Sequence, residues 1–303
     1  MNESTDFCIF PYTKADALRR RSSAMTDETS MKTSAKLLSL CPEVLTAWNH
    51  RREAIERGEE TRGGDADADA STSARDEWWR EELALSESAL KNNPKSYPSW
   101  YHRKWVIERL IREMGAEDSR ARETLAREEA LCATSLNADD RNFHCWSYRA
   151  FIARALGKTS EEELVYTMTK IENNFSNYSA WHYRSAILEA AGEARRVETL
   201  AREFELVSNA FYTEPEDQSA WMYHRWLVSR ARALECASER EALLESALET
   251  CREVSELEPE CKWPLLARVS LGDEKSDELY DRLVTIDPAR SGYYRDVIAS
   301  RCA

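Results

Sequence analysis

Glycine and proline, the residues that most often end helices and form turns, are scarce in this sequence. Eight of each occur among 303 residues, about 5% in total where about 12% is usual. An all-β sandwich or barrel needs turn residues at intervals of ~8–12 positions, so this scarcity argues against both. Charged residues make up 32% of the chain and apolar residues 42%, which is typical of long amphipathic helices with one solvated face.

Three further absences exclude other classes of protein. The net charge is −13, so the basic surface of a nucleic-acid-binding protein is missing. No apolar run approaches the ~18 residues of a transmembrane helix, and the N-terminus lacks the charged and apolar regions of a secretory signal. The eight cysteines form no CxxC pair, which favours reduced, packed thiols and a cytoplasmic location.

A tryptophan-centred segment recurs along the chain. Its copies read PEVLTAWNHRR, SYPSWYHRK, NFHCWSYRA, NYSAWHYRS and QSAWMYHRW, with a degenerate copy, KWPLLARV, around Trp263. The successive tryptophans are 52, 46, 35, 40 and 42 residues apart. A period in the range of ~20–50 residues indicates an array of repeated supersecondary units.

An arginine follows each tryptophan by three or four positions, which places both side chains on one face of a helix. The pairs are Trp48–Arg51, Trp100–Arg103, Trp146–Arg149, Trp181–Arg184 and Trp221–Arg225. We expect the tryptophans to form the core between units, and the arginines to lie along them or to bridge to acids of the next unit. A C-terminal glycine is predicted to stop the first helix of the early units, at Gly58, Gly115, Gly157 and Gly192.

These features predict an all-α fold. Each period is interpreted as one helical hairpin of about 35–45 residues, because stacked hairpins bury a continuous core. We expect about six or seven hairpins in a right-handed α–α superhelix, a solenoid over residues 33–303 with essentially no sheet. Residues 1–32 are predicted to be a flexible tail, and the Gly/Asp/Ala/Ser-rich residues 62–75 a disordered insertion.

The repeat resembles that of the protein prenyltransferase α subunits, whose signature reads P-x-x-Y/F-x-x-W followed by an arginine. PKSYPSW, RNFHCW, SNYSAWHYR and QSAWMYHRW match it, and the resemblance covers residues 36–299. RNFHCW and QSAWMYHRWL resemble the Rab, or type II, branch of the family. Pro98 stands where the branch that acts on CaaX proteins has a glutamine, which favours a substrate without a CaaX terminus. Rab-type subunits of animals and plants carry immunoglobulin-like and leucine-rich-repeat domains, and we expect neither here.

The resemblance implies the α subunit of a heterodimeric Rab geranylgeranyltransferase, a transferase of type II. Such an enzyme transfers a geranylgeranyl group from geranylgeranyl diphosphate to C-terminal cysteines of Rab GTPases that an escort protein presents. It implies an obligate β subunit that holds the zinc ion and the isoprenoid pocket, and an α chain that is inactive alone. We expect no cofactor and no metal ligand in this chain, since all five histidines lie within the tryptophan motifs.

The resemblance also implies a set of site residues. Lys95 and Tyr97 are expected to line the diphosphate end of the isoprenoid, with His144 nearby and Phe143 beside it. The catalytic candidates among them are Lys95, Tyr97 and His144. A lysine beside a departing diphosphate neutralises charge that grows in the transition state. The alternatives are a solvated turn lysine for Lys95 and a core or interface histidine for His144.

Further motif residues are candidates for contact with the β subunit, because arginines and aromatic side chains are enriched at protein interfaces. They are His102, Arg103, Tyr148, Arg149, Tyr178, His182, Tyr183, Arg184, His224 and Arg225. A place in the core of the repeat is the alternative for each of them.

Two other functions remain open. One is an α subunit shared by farnesyltransferase and geranylgeranyltransferase type I, which would act on CaaX proteins; Pro98 and the RNFHCW segment disfavour it. The other is a non-catalytic helical-repeat scaffold that only binds protein partners. A tight stoichiometric complex with a prenyltransferase β subunit would discriminate against the scaffold.

Overall fold

The structure is a computed structural model that describes the backbone of residues 28–62 and 68–302. Side chains are described for residues 29–57 and 78–300. Most of the predicted N-terminal tail, residues 1–27, and the centre of the predicted insertion, residues 63–67, lie outside the described residues.

The described chain is all-α, as predicted. Within the described ranges it contains fourteen α-helices, two short 3₁₀ helices and no strand. The α-helices are α1 (Glu28–Leu40), α2 (Leu45–Arg62), α3 (Ala68–Asn92), α4 (Tyr97–Met114), α5 (Ser119–Ala138), α6 (Phe143–Ala155), α7 (Ser160–Asn173), α8 (Tyr178–Ala190), α9 (Val197–Thr213), α10 (Gln218–Arg232), α11 (Ala237–Leu257), α12 (Lys262–Leu271), α13 (Ser276–Ile286) and α14 (Ser291–Cys302). The 3₁₀ helices span Glu193–Arg195 and Pro288–Arg290.

Consecutive helices pair into hairpins. α1 packs on α2 and α3 on α4, and the same pairing continues to α13 and α14, which gives seven hairpins in the described chain. The chain divides into two compact units, one that ends at Gly157 and holds α1–α6, and one that begins at Lys158 and holds α7–α14. The predicted repeat of helical hairpins is confirmed within each unit.

The helices reach further into the predicted insertion and tail than expected. α2 runs through Arg62 and α3 begins at Ala68, so only residues 63–67 separate the two helices. Alanine is the strongest helix former, and aspartate is favourable in a first helical turn, which explains why the Ala/Asp-rich segment begins a helix. α1 begins at Glu28, so residues 28–32 of the predicted tail are also helical.

Three of the four predicted glycine stops follow the ends of helices. Gly115, Gly157 and Gly192 come after α4, α6 and α8 with φ angles of 84°, 70° and 75°. Residues with a Cβ adopt such positive φ angles only at a cost, whereas glycine adopts them freely. The prediction is wrong for Gly58, which lies inside α2.

The five motif tryptophans are buried, as predicted, and each also fixes the turn that precedes it. In every case the indole Nε1 donates to the backbone carbonyl six residues earlier at 2.8 Å. The carbonyls of Pro42 and Pro94 accept a second hydrogen bond from the following hairpin, from Ser96 Oγ at 3.4 Å and from Asn142 Nδ2 at 2.8 Å. Successive turns of the first unit are therefore linked to one another.

In the degenerate sixth copy, Leu265 takes the core position rather than Trp263. Leu265 lies six residues after Pro259, the spacing at which each motif tryptophan follows the start of its turn, and it is fully buried. Arg268, three residues further on, is buried like the motif arginines. The repeat thus continues into the sixth hairpin with a smaller apolar side chain at its centre.

A buried arginine joins one hairpin to the next. Arg103 on α4 forms a two-pronged ion pair with Glu128 on α5, from Nε to Oε2 at 2.5 Å and from Nη2 to Oε1 at 2.7 Å. Its Nη1 donates to the carbonyl of Leu83 at 2.7 Å and to the hydroxyl of Ser86 at 3.0 Å, both on α3. The hydroxyl of Tyr148 on α6 donates to Glu128 at 2.7 Å. One buried ion pair therefore ties four helices together.

The same arrangement recurs at two other hairpins, and we call it the Arg–Glu network. In the order arginine, glutamate and third partner, its sets are Arg51–Glu82–His102, Arg103–Glu128–Tyr148 and Arg184–Glu203–Tyr223. Burial of an ion pair is costly unless the remaining donors and acceptors are also bonded, and each arginine here donates from Nε, Nη1 and Nη2. The prediction that motif arginines bridge to acids of the next unit is confirmed for these three.

Loss of one member of the network should damage the fold far more than loss of an exposed ion pair. Arg103→Ala leaves Glu128 buried without its partner, and we expect the free energy of unfolding to fall by about 3–5 kcal/mol. The control is Arg127→Ala, which breaks the exposed pair with Glu123 on the same helix and should cost less than about 1 kcal/mol. Urea unfolding followed by circular dichroism measures both; equal losses would contradict the role of Arg103.

Candidate functional site

Lys95 lies at the tip of the turn between α3 and α4. Asn93 Oδ1 accepts from the Lys95 amide at 3.1 Å, and the Ser96 hydroxyl caps α4 by accepting from the amide of Ser99 at 3.4 Å. The Lys95 side chain is 63% exposed, and its Nζ lies 3.1 Å from Asp139 Oδ2. The lysine is therefore solvated and at the same time paired with a carboxylate.

The ion pair forms because two turns of the first unit lie side by side. Asp139 begins the turn that leads into α6, and Asn142 ends it by accepting from the Cys145 amide at 3.2 Å. Asn142 Nδ2 also donates to the carbonyl of Pro94 at 2.8 Å. This hydrogen bond between turns brings the carboxylate to the lysine.

An exposed aromatic surface lies where α4 and α6 begin. We define the aromatic edge as Tyr97, Tyr101, Phe143 and His144. Tyr97 stacks on Tyr101 with ring centroids 5.9 Å apart and lies 6.0 Å from His144, while the Phe143 and His144 centroids are 4.0 Å apart. Tyr97, Tyr101 and Phe143 are 57%, 46% and 62% exposed. Large aromatic side chains grouped in water indicate a surface for a ligand or a partner.

Of the four residues expected from the resemblance, Tyr97, Phe143 and His144 lie against one another, and Lys95 lies in the turn just before Tyr97. Lys95 precedes α4 and Tyr97 begins it, while Phe143 and His144 begin α6. Partial burial lowers the pKa of His144, with the charge of Glu43 acting in the opposite direction, so the imidazole is neutral at pH 7. Exposed aromatic rings, with a lysine in the turn that precedes Tyr97, suit a hydrophobic chain that carries an anionic head group.

Sequence reasoning missed three members of this site. Asp139 pairs with Lys95, Tyr101 extends the aromatic edge, and the Arg52 guanidinium lies 5.0 Å from the centroid of the Tyr101 ring. Tyr101 follows Tyr97 by one helical turn, so its spacing was a usable signal. Asp139 and Arg52 carried no such signal, because their contacts depend on how neighbouring hairpins pack.

Most of the predicted interface residues lie inside the repeat. Buried among them are His102, Arg103, Tyr148, Arg149, Arg184 and His224, and Tyr183 is half-buried. Positions two and three after each tryptophan face neighbouring helices, so an interface role is not supported for these side chains. The interface prediction stays open for the three exposed ones, Tyr178, His182 and Arg225; the rings of Tyr178 and His182 stack 6.2 Å apart.

Arg225 is not equivalent to the other motif arginines. The residue three positions after Trp221 is His224, which is buried, whereas Arg225 at four positions is exposed. The prediction that treated both spacings as one pattern is wrong at this hairpin. One residue along a helix turns the side chain by about 100°, enough to move it from the core to the surface.

A neutral histidine connects the Arg–Glu network to the aromatic edge. His102 Nε2 lies 2.9 Å from Glu82 Oε2, and its Nδ1 lies 3.4 Å from Nη1 of Arg52. Burial lowers the pKa of His102, with Glu82 opposing it, and a neutral ring that donates from Nε2 and accepts at Nδ1 satisfies both neighbours. Burial alone would raise the pKa of Glu82, but the hydrogen bond from His102 and the charge of Arg51 outweigh it and hold the pKa at about 2.

Two kinds of feature are missing from the described part of the chain. No three or more His, Cys, Asp or Glu side chains are grouped there in a way that could hold a metal ion. Nor does any helix of those ranges have the length and apolarity to cross a membrane.

Comparison with known proteins gives the family. The protein-family model described as protein prenyltransferase alpha subunit repeat matches four segments of the sequence, residues 79–110, 125–156, 160–191 and 200–231. The geranylgeranyl transferase type-2 subunit alpha of Dictyostelium discoideum is 38% identical over 291 residues, which are 93% of this chain and 88% of that protein. The chain belongs to the protein prenyltransferase α-subunit family.

Two further relatives define the extent of the likeness. The mouse geranylgeranyl transferase type-2 subunit alpha is 42% identical over 221 residues, which are 70% of this chain but 36% of the mouse protein. The chain therefore spans little more than a third of that relative's length. In the solved structure of Candida albicans protein geranylgeranyltransferase-I complexed with GGPP, one chain matches with a TM-score of 0.71 at 18% identity, over 95% of this chain and 88% of that one. This likeness supports the helical-repeat fold.

Glu82 should make the stability of the protein sensitive to acid in a defined range. Its folded pKa of about 2 lies below the ordinary value of 4.5, so the folded state binds this proton less readily than the unfolded state does. The stabilisation is fully present above about pH 4.5 and is lost as the pH falls toward 2, a change of about 3 kcal/mol. We expect wild type to lose more free energy of unfolding between pH 6 and pH 3 than Glu82→Gln does.

The matched control for this measurement is Glu123→Gln, which removes an exposed carboxylate. Urea unfolding at both pH values should give this control the same pH dependence as wild type. If Glu82→Gln also keeps the wild-type pH dependence, the network does not hold Glu82 ionised.

Proposed function

We propose that this chain is the α subunit of a heterodimeric Rab geranylgeranyltransferase. The observation that carries the proposal is the likeness to the Dictyostelium type-2 subunit, which extends over nearly the whole of both chains. Pro98 at the start of α4 agrees with it, because this buried side chain offers no polar group to a CaaX carboxylate. The enzyme transfers geranylgeranyl from its diphosphate to C-terminal cysteines of Rab GTPases that an escort protein presents.

Lys95 and the aromatic edge are the proposed contribution of this chain to the reaction. Tyr97 and Phe143 offer exposed rings to the isoprenoid, and neutral His144 offers a hydrogen bond near its diphosphate. The Lys95 ammonium neutralises charge that grows on the diphosphate as its bond to carbon breaks. Because Lys95 is paired with Asp139, it exchanges a carboxylate for a diphosphate oxygen when substrate binds.

In this proposal the α chain acts only with a β subunit. The Rab thiolate is the nucleophile, and we assign the zinc ion that binds it to the β subunit, because the described residues of this chain offer no set of metal ligands. The aromatic edge in the first unit, and Tyr178, His182 and Arg225 in the second, are the surfaces proposed for contact with it. We assign the enzyme to the cytoplasm, where thiols such as the six described free cysteines persist.

Activity should require both subunits. We expect the chain to co-purify with a type II β subunit in a stoichiometric complex, and only this complex to transfer labelled geranylgeranyl to a Rab protein bound to an escort protein. The chain alone should transfer nothing, because the thiolate and isoprenoid sites lie on the partner. Transfer to a CaaX peptide instead of the Rab protein would indicate a shared type I subunit, and failure to form a stoichiometric complex with any β subunit would indicate a scaffold.

Lys95→Ala should slow the chemical step more than it weakens substrate binding, because the lysine acts on charge that develops in the transition state. The ammonium is 63% exposed, so we expect a single-turnover rate about tenfold lower, a smaller loss than the ~10²–10³ of an oxyanion-hole donor. The matched control is Lys91→Ala, since Lys91 is an exposed lysine at the end of α3 that pairs with Glu87. Gel filtration checks that both heterodimers are intact. Equal single-turnover rates for the two variants would then show that Lys95 takes no part in the reaction.

A further inference from the structure

The fifth hairpin, α9 and α10, lacks the buried ion pair of its neighbours. His224 stands three residues after Trp221, where the other motifs carry arginine. Ala247 lies eighteen residues before the core residue Leu265, the position at which the network glutamates precede the next tryptophan. Val207 replaces the serine or threonine that accepts from the arginine. Three polar positions of the network have therefore changed together.

A cavity of about 290 Å³ occupies this place, between α9 and α11. Its lining includes His224, Ala247 and the rings of Phe204 and Phe211. The His224 ring meets the two phenylalanines edge to face, with centroids 5.6 and 5.5 Å apart. His224 is 4% exposed, and its Nε2 has no hydrogen-bond partner. A buried polar atom without a partner is costly, and the cavity is the place from which a partner can reach it.

The chemistry of the lining defines the ligand. Burial lowers the pKa of His224 to about 4, so the imidazole is neutral and its Nε2 donates or accepts according to the tautomer. A hydroxyl group satisfies either tautomer, since it both donates and accepts. The hydroxyls of Ser208 and Thr250 on the cavity wall already donate to helix carbonyls. The exposed carboxylate of Glu205 also lines the cavity and disfavours an anionic ligand.

At the equivalent place in the Arg103 and Arg184 sets of the network, the repeat supplies the phenol group of a tyrosine. Tyr148 donates its hydroxyl to Glu128, and Tyr223 donates its hydroxyl to Glu203, both at 2.7 Å. The corresponding residue of the sixth copy is Ala267, so the sixth hairpin supplies neither the tyrosine nor the glutamate to the fifth. The cavity in this part of the fold is bordered by aromatic rings, and among its lining residues His224 Nε2 is the buried polar atom without a partner.

We propose that the cavity between α9 and α11 binds a small, neutral, phenol-class molecule. Its ring packs against Phe204 and Phe211, and its hydroxyl hydrogen-bonds to His224 Nε2. An apolar cavity of ~150 Å³ binds benzene, so the volume here accommodates a substituted phenol. The corresponding groove between α3 and α5 differs, because Arg103 and Glu128 in its lining are paired with each other.

Phenol and toluene test the proposal, because they share a shape and differ in the hydroxyl. In the full-length chain labelled with ¹⁵N-histidine, phenol should shift the His224 Nε2 resonance through its hydrogen bond. Toluene, which cannot form that hydrogen bond, should shift the resonance less. Titration of both compounds gives the ratio of their dissociation constants. His224→Phe keeps a ring and removes the hydrogen-bonding atom, so we expect the preference for phenol over toluene to fall about fivefold in this variant.

A second pair of variants tests whether the two compounds bind in the cavity or elsewhere on the surface. Ala247→Leu fills the cavity and should abolish binding of both compounds, whereas Ala242→Leu, at an exposed position of α11 outside the lining, should bind as wild type does. Circular dichroism checks that each variant is folded, and the His224→Phe comparison decides the matter if Ala247→Leu does not fold. The proposal is overturned if phenol does not bind, or if His224→Phe keeps the wild-type preference.

Discussion

The structure depends on one interaction, the buried ion pair between a motif arginine and a glutamate of the next hairpin. An ion pair out of water is stable only when its remaining donors and acceptors are bonded, and here a serine or threonine, a helix carbonyl and a tyrosine or histidine complete it. This requirement directs positions two and three after each tryptophan inward. The positions three before and one after the tryptophan then face solvent, which is where Tyr97, Tyr101 and Phe143 form the aromatic edge.

The fold followed from the sequence more completely than the site did. Hairpin repeats, the all-α class and the burial of the tryptophans depend on local spacing, which the sequence displays directly. The partner of Arg103 lies 25 residues away, and that of Lys95 lies on a different turn, so both depend on the stacking of hairpins. The spacing also gave a wrong prediction for Arg225. Positions three and four after a tryptophan lie on broadly the same side of a helix, but only the side chain at position three reaches the glutamate.

In the proposed function Lys95 is the cation that meets an anionic ligand, and the fold already pairs this lysine with a carboxylate. Its turn is held by Asn93 and Ser96, and the neighbouring turn supplies Asp139 at 3.1 Å. A single carboxylate is thus the competitor that any ligand must displace. A diphosphate carries more negative charge than one carboxylate and can displace it, whereas a neutral lipid cannot. In the proposed function this ion pair would therefore favour the charged end of an isoprenoid diphosphate over an uncharged isoprenoid.

The turn carbonyls of the first unit also bear on the order in which the chain assembles. The Pro94 carbonyl accepts from Trp100 of its own hairpin and from Asn142 of the next one. A chain leaves the ribosome N-terminus first, so each hairpin emerges with its own indole available and the second donor still unsynthesised. The second and third hairpins each complete the turn before them, through Ser96 and Asn142, so these two turns gain their full set of hydrogen bonds only after the next hairpin has been synthesised.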